Sequence, residues 1–221
     1  MKVDFNEENH EYSVGGIRVP SVSEILLHLN PERYGDLNPW MLKSAAARGT
    51  AVHEACELID YGEEPEENAE IDGYLKAYTM FLLEHDVKWE LVESVVGYYR
   101  GMPFDDGLGE LPLYCGTVDR FGLVDGLPSV VDIKTYASMN TDAQLTASCQ
   151  TRLYEDALES NGHFIMTRYI LHLRKDGTYR LIDLAEFDKN HGFDSHNTAW
   201  HCYEICRELR TARKKVKKTR R

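Results

Sequence analysis

The stretch GTVDRFGLVDGLPSVVDIKT, residues 116 to 135, constrains the fold more tightly than any other part of this chain. Two runs rich in Val, Ile and Phe flank Asp125-Gly126, the dipeptide that best suits a two-residue hairpin turn. Counting outward from that turn sets Asp119 opposite Asp132 and Thr117 opposite Lys134. Side chains alternate along a strand, so Asp132 and Lys134 share one face while Val131 and Ile133 point into apolar packing. Directly opposed side chains have Cβ atoms about 4.5–5.5 Å apart, and like charges held there are destabilising. Either one carboxyl is protonated or a cation lies between the two. Pro128 strains this register, because it cannot donate to a ladder. A slip of two residues would preserve the shared face and a slip of one would destroy it.

The chain around the hairpin reads as helices first, then a mainly antiparallel sheet, then helix, hairpin and helix. VDFN and GIRV form short strands about a Gly15-Gly16 turn. PSVSEILLHL starts a helix, with Ser21 and Glu24 spaced as a capping box. A second helix begins at Asn38-Pro39, suited to a cap and a first helical position, and continues or restarts near Gly49 to end about Asp60. Further helices are expected over about 69–85, 142–160 and from 194 onward. WELVESVVGYY reads as a strand, and FIMTRYILHL and TYRLIDL as strands about an Asp176-Gly177 turn. The order predicts an α/β (α+β) fold with a central mixed β-sheet flanked by helices. With 221 residues and no repeat or clear linker, one domain over 1–221 is expected.

Charge and cysteines narrow the function. The formal net charge is −12, which by itself argues against a nucleic-acid partner. The last fifteen residues, 207–221, nevertheless carry nine Lys or Arg against one Glu. Such a basic tail is either a solvated helix end or a phosphate-contacting arm. Five scattered cysteines form no disulfide framework. Cys202 and Cys206, one helical turn apart, could share a metal but read as small buried residues of the last helix. No apolar run reaches bilayer length and the polar N-terminus lacks a secretory pattern, so an intracellular protein with no membrane partner is expected.

Two oxygens plus waters suit Mg²⁺ or Mn²⁺. A lysine beside such an ion can position a water and stabilise charge growing on a phosphate. RGTAVHEACE places His53 and Glu57 on one helix face. The stretch lacks the second His of the H-E-x-x-H zinc peptidases. QTRLY places Gln150 and Tyr154 one helical turn apart. An acidic protein can still take a nucleic-acid strand through a local basic channel, and Arg48, Lys43, Arg120, Arg152 and the tail are candidates to line it.

Taken in order, RGTAVHE, GTVDR, DIKT and QTRLY resemble the PD-(D/E)xK nuclease superfamily, specifically its RecB-like and phage-type exonuclease branch. RVPSVSEIL near the start is similar to the entry of phage members. The resemblance spans roughly residues 12 to 158 and implies a restriction-endonuclease-like core. It implies His53, Asp119, Asp132 and the Ile133 carbonyl as metal ligands, with Glu57 a possible additional carboxylate. Lys134 would act on the attacking water, and Gln150 and Tyr154 would hold the site or the DNA end. The expected activity is Mg²⁺- or Mn²⁺-dependent DNA hydrolysis, as an exonuclease in recombination or repair. DNA with linear ends would be the substrate and a single-strand annealing protein a partner, in the cytoplasm of a bacterial or phage-infected cell. A related branch carries a four-cysteine iron–sulfur cluster; the cysteine spacing here predicts none. The alternatives are a non-catalytic nucleic-acid- or partner-binding module on a nuclease-like fold, and a structural cation site that only stabilises the hairpin.

Overall fold

A computed structural model describes residues 3–6, 9, 11–29, 38–99 and 112–219. Three short strands, β1 (Val3–Asn6), β2 (Glu11–Val14) and β3 (Ile17–Val19), form one antiparallel sheet. α1 (Val22–Leu26), α2 (Pro39–Asp60) and α3 (Asp72–Glu84) follow. The second sheet has the order β4 (Val87–Tyr98), β5 (Tyr114–Val124), β6 (Leu127–Lys134), β7 (Thr167–Leu173), β8 (Tyr179–Asp183). α4 (Thr141–Ser160) crosses from β6 to β7, and α5 (Leu184–His191) and α6 (Ser195–Thr219) close the chain. Only the β6–β7 pairing is parallel, so the fold is α+β with a five-stranded mixed sheet flanked by helices. No helix among the described residues is long and apolar enough to cross a membrane.

Local chemistry starts these elements where the sequence says it should. The Glu24 amide donates to Ser21 Oγ at 2.9 Å, and the Trp40 amide donates to Asn38 Oδ1 at 2.9 Å. α2 runs through Gly49 without a restart. α5 was not expected from the sequence, although its signals are ordinary ones. Asp183 caps the Glu186 amide at 2.8 Å, and Gly192 ends the helix with φ of 59°.

The sheet buries both faces. Val52, Cys56, Tyr78 and Phe81 of α2 and α3 pack on Val131, Ile133, Leu171 and Leu173. On the other face Leu153 and Ala157 of α4, with Ala199 and Cys202 of α6, pack on Val118, Phe121 and Val130. Cys202 and Cys206 are free thiols buried in this second core, as their spacing suggested. The basic tail continues α6 to Thr219, with Arg210 paired to Glu24 at 2.7 Å and residues 211–216 exposed. The Gly- and Pro-containing stretch 99–112, which reads from the sequence as a loop, falls largely on residues outside those described.

The hairpin turn forms as counted. Asp125 and Gly126 both have positive φ, 51° and 81°, as a two-residue turn of this sequence requires. Pairing runs from Val124–Leu127 to Arg120–Val131 with no slip at Pro128, which sits opposite Leu123. The pair beside the turn is hydrogen-bonded, so Pro128 falls at a non-bonded position of that ladder and loses nothing there. Beyond Arg120 the strands part, and this corrects the expected Asp119–Asp132 and Thr117–Lys134 pairs. Asp119 Oδ2 instead accepts from the Ile133 amide at 2.7 Å, and Thr117 Oγ1 meets Tyr12 Oη at 2.8 Å.

Candidate metal centre

The parting of β5 from β6 has a counterpart on the other side of β5. Val92–Arg120 and Ser94–Val118 are paired, yet Glu93 and Asp119 between them are not. Glu93 has φ of 42°, a left-handed conformation that a non-glycine residue adopts at a cost of about 1–3 kcal/mol. The irregularity switches the faces of β5. Val118 packs towards α4, whereas Arg120, two residues on, faces Asp60 of α2. Asp119 lies at this switch, free of both ladders, with its carboxylate aimed into the gap at the strand ends. Such bulges re-aim side chains at the sites where proteins do chemistry.

His53, on the buried face of α2, reaches the same gap. Its Nδ1 lies 3.0 Å from Glu93 Oε1 and 3.9 Å from Asp119 Oδ2, and its Nε2 lies 3.2 Å from the Ile133 carbonyl. His53, Glu93 and Asp119 each offer one ligand atom, all within 4.8 Å of one another. Behind Glu93 stands Arg120, whose Nη1 donates to Glu93 Oε1 at 2.8 Å and whose Nε donates to Asp60 Oδ2 at 2.6 Å. Asp60 Oδ1 in turn accepts from Tyr78 Oη at 2.6 Å and Trp89 Nε1 at 3.0 Å. On the other side Lys134 Nζ donates to Asp132 Oδ1 at 2.7 Å and lies equally close, 2.7 Å, to the buried Oδ2.

The electrostatics follow from burying so many carboxylates together. Desolvation raises the Asp132 carboxyl to about 6, against the pull of Lys134 and with a further push from Asp119. Burial would lower the His53 imidazole, but Asp119 and Glu93 outweigh it and hold it at about 9. Glu93 shows the opposite balance: burial would raise it, and its bonds to His53 and Arg120 leave it below the ordinary glutamate value. Lys134 is desolvated too, yet Asp132 keeps it charged.

A ligating imidazole is neutral, so a bound cation would displace the proton that Asp119 and Glu93 favour on His53, and Asp60, Asp119, Asp132 and Glu93 would set four negative charges against Arg120 and Lys134. The cluster is then short by two positive charges, the charge of one Mg²⁺ or Mn²⁺. A histidine nitrogen, carboxylate oxygens and a main-chain carbonyl make a donor set that Mn²⁺ accepts well and Mg²⁺ tolerates. The residues present therefore fit a divalent cation.

The centre opens into a cleft of about 740 Å³ lined by Thr50, Glu57, Gly116, Lys134, Gln150 and Tyr154, among others. Gln150 Nε2 donates to Tyr154 Oη at 3.3 Å, so the two helical residues act as a unit on its wall. Glu57 lines the cleft without belonging to the close ligand cluster. Gly116 is fixed by close approach: a Cβ there would lie 2.6 Å from the Tyr154 ring and 2.9 Å from Val22.

The sequence-expected set is therefore brought together at His53, Asp119, Asp132, Ile133, Lys134, Gln150 and Tyr154. One expected nucleic-acid contact, Arg120, needs correction. Arg120 is wholly buried and ion-paired to Asp60 and Glu93, so it cannot line a channel. Arg152 lines neither this cleft nor the one beside it, and its guanidinium is held by Glu155 and Asp156, each at 3.1 Å. Arg48 lines the adjoining cleft, and Lys43 is exposed on α2. Glu93 was missed. Its one sequence signal is a carboxylate set among the valines of LVESVV, a stretch otherwise suited to burial. Comparison of the chain with family models and with curated proteins gives no match.

Proposed function

We propose that this protein is a Mg²⁺- or Mn²⁺-dependent deoxyribonuclease with a restriction-endonuclease-like core, cutting DNA from an end during recombination or repair in a bacterial or phage-infected cell. The observation that carries this reading is one cleft lined by His53, Glu93 and Asp119 beside a charged, largely buried Lys134, with Asp132 buried against that lysine. His53, Glu93, Asp119, Asp132 and the Ile133 carbonyl would hold the ion. When bound, the ion supplies Lewis-acid polarisation of a phosphate oxygen and a water of lowered pKa. Lys134, kept protonated by Asp132, offers an N–H donor and a positive charge where negative charge grows on the phosphate. Gln150 and Tyr154 form the wall that orients the strand.

A second reading is a cation site that stabilises the fold without cleaving. The acidic lining of the cleft, which includes Glu54 and Glu57 besides the ligands, favours it. End-labelled linear DNA and closed circular DNA, incubated with Mg²⁺, Mn²⁺ or EDTA, separate the two. Loss of label from linear DNA alone, abolished by EDTA, is expected. Intact DNA under every condition, together with a melting temperature raised by Mn²⁺, would leave only the structural cation site.

A further inference from the structure

His53, Gly49 and Lys134 line two clefts at once, and the two are unlike. The first is the acidic one described above. The second, of about 840 Å³, runs between α2 and the start of α4. Its charged lining is Arg48, Lys134 and His53 against a single carboxylate, Asp142. One wall is apolar, built by Leu42, Ala45 and Ala46 along α2, with Ile133 and Ala143 beside it. Arg48 Nε is buried there with no hydrogen-bond acceptor, and no ion pair to Arg48 exists among the described residues. A desolvated guanidinium N–H without an acceptor is costly unless a ligand supplies one. Guanidinium geometry matches phosphate oxygens, and Arg is the side chain best suited to that ligand.

We propose that this second cleft is a subsite for one nucleoside 5′-monophosphate, the piece released when a nuclease cuts at a chain end. Its phosphate sits on Arg48 and its base lies against the wall of Leu42, Ala45 and Ala46. The volume is within the roughly 300–1,000 Å³ usual for sites of small organic ligands. Charge complementarity assigns the roles of the two clefts: the acidic one attracts the cation, and the one with an unpaired arginine attracts the phosphate. Gly49 stands at their junction, and a Cβ there would be 3.8 Å from Thr135 Oγ1, so the helix face at the junction is kept low. The one carboxamide in the lining, Asn140, spends its oxygen on the Ala143 amide at 2.9 Å, so base identity is not read there. The proposal rests on the nuclease reading for its biological meaning, and its test does not depend on cleavage.

The test is calorimetric titration of the full chain in EDTA with deoxyadenosine and thymidine 5′-monophosphates, with deoxyadenosine and with inorganic phosphate. Saturable binding of both nucleotides within a few-fold of each other is expected, with deoxyadenosine and inorganic phosphate at least tenfold weaker. Arg48→Met should weaken nucleotide binding at least tenfold. Ala46→Leu, at an exposed helical position that tolerates leucine, should do the same by filling the wall. Melting curves confirm that both variants are folded. Absence of saturable nucleotide binding, binding unchanged in both folded variants, or phosphate binding as tightly as the nucleotides would each overturn the subsite. DNA cleavage measured in parallel separates the two readings. Cleavage without nucleotide binding sinks the subsite alone. Nucleotide binding that responds to Arg48 in a protein that never cuts DNA supports the subsite and sinks the nuclease.

Discussion

Two arginines are buried in neighbouring parts of the same sheet, and they serve opposite ends. Arg168 on β7 is enclosed by Asp188 at 2.9 Å, Glu155 at 2.9 Å and the Ser148 carbonyl at 2.8 Å. Asp188 also accepts from the hydroxyls of Ser148 and Ser195, each at 2.6 Å. That network ties α4, α5, α6 and β7 together and ends within itself. Arg120 on β5 has a closed half, Asp60 with Tyr78 and Trp89, and an open half, Glu93 with His53. The open half reaches a cleft and leaves the cluster short of positive charge. A buried ion pair with every partner inside the fold fixes architecture. One whose last carboxylate faces solvent leaves a charge for a ligand to satisfy.

The difference predicts how each region responds when a charge is removed. The largest effect is expected in the closed network. Asp188→Asn should cost about 3–5 kcal/mol of stability in urea unfolding, because Arg168 loses an ionised partner in a buried setting. It should leave Mn²⁺ affinity of the folded protein unchanged; a large loss of Mn²⁺ affinity would show that the two networks are coupled.

Next comes Lys134→Ala, expected to slow DNA cleavage by about 10²–10³-fold in single-turnover assays, the usual cost of losing a group that stabilises transition-state charge. Mn²⁺ binding, followed by electron paramagnetic resonance, should persist. Cleavage at the native rate would remove Lys134 from the chemistry.

Gly116→Ala should destabilise by about 1–3 kcal/mol, since its methyl must displace the Tyr154 ring or Val22 in a packed wall. A crystal structure of this variant with Tyr154 unmoved would contradict the close approach.

Glu93→Gln should lower Mn²⁺ affinity at least tenfold, about 1.4 kcal/mol. At a Mn²⁺ concentration of roughly 100 times the native Kd, the native protein should gain about 2.7 kcal/mol of stability, and the variant visibly less. Equal stabilisation of both would mean that Glu93 is not a ligand and that the open half of the Arg120 network has no metal to serve.

The smallest effect belongs to the junction of the clefts. Gly49→Ala should stabilise α2 by about 0.5–1 kcal/mol, because a helical glycine costs that much relative to alanine and the space for a methyl exists. A destabilised variant in thermal melts would show that the junction is tighter than 3.8 Å implies.

Local rules set much of this fold. Asp125-Gly126 dictated the turn, the turn dictated the register through Arg120–Val131, and strand alternation put Asp132 and Lys134 on one face. Ser21, Asn38 and Asn140 each cap the helix that follows them. These outcomes depend on neighbours a few residues away, which a sequence displays directly.

Other decisions needed the whole sheet. Arg120 follows Asp119 in the chain and reads as a surface cation suited to a phosphate. It is buried because Asp60, sixty residues earlier, and Glu93, on the adjacent strand, meet it inside the core. Glu93 reads as an ordinary strand residue, and only the left-handed twist at its own backbone turns it towards His53. The opposition of Asp119 and Asp132 was correct as a count, yet the strands part before it is reached, so a main-chain amide and a lysine receive the two carboxylates instead. The sequence by itself determined most of the elements, α5 excepted, and the caps at which several helices start. Only the tertiary structure decided which charges are desolvated and which face the cleft, because desolvation depends on atoms brought from distant segments and no local pattern encodes it.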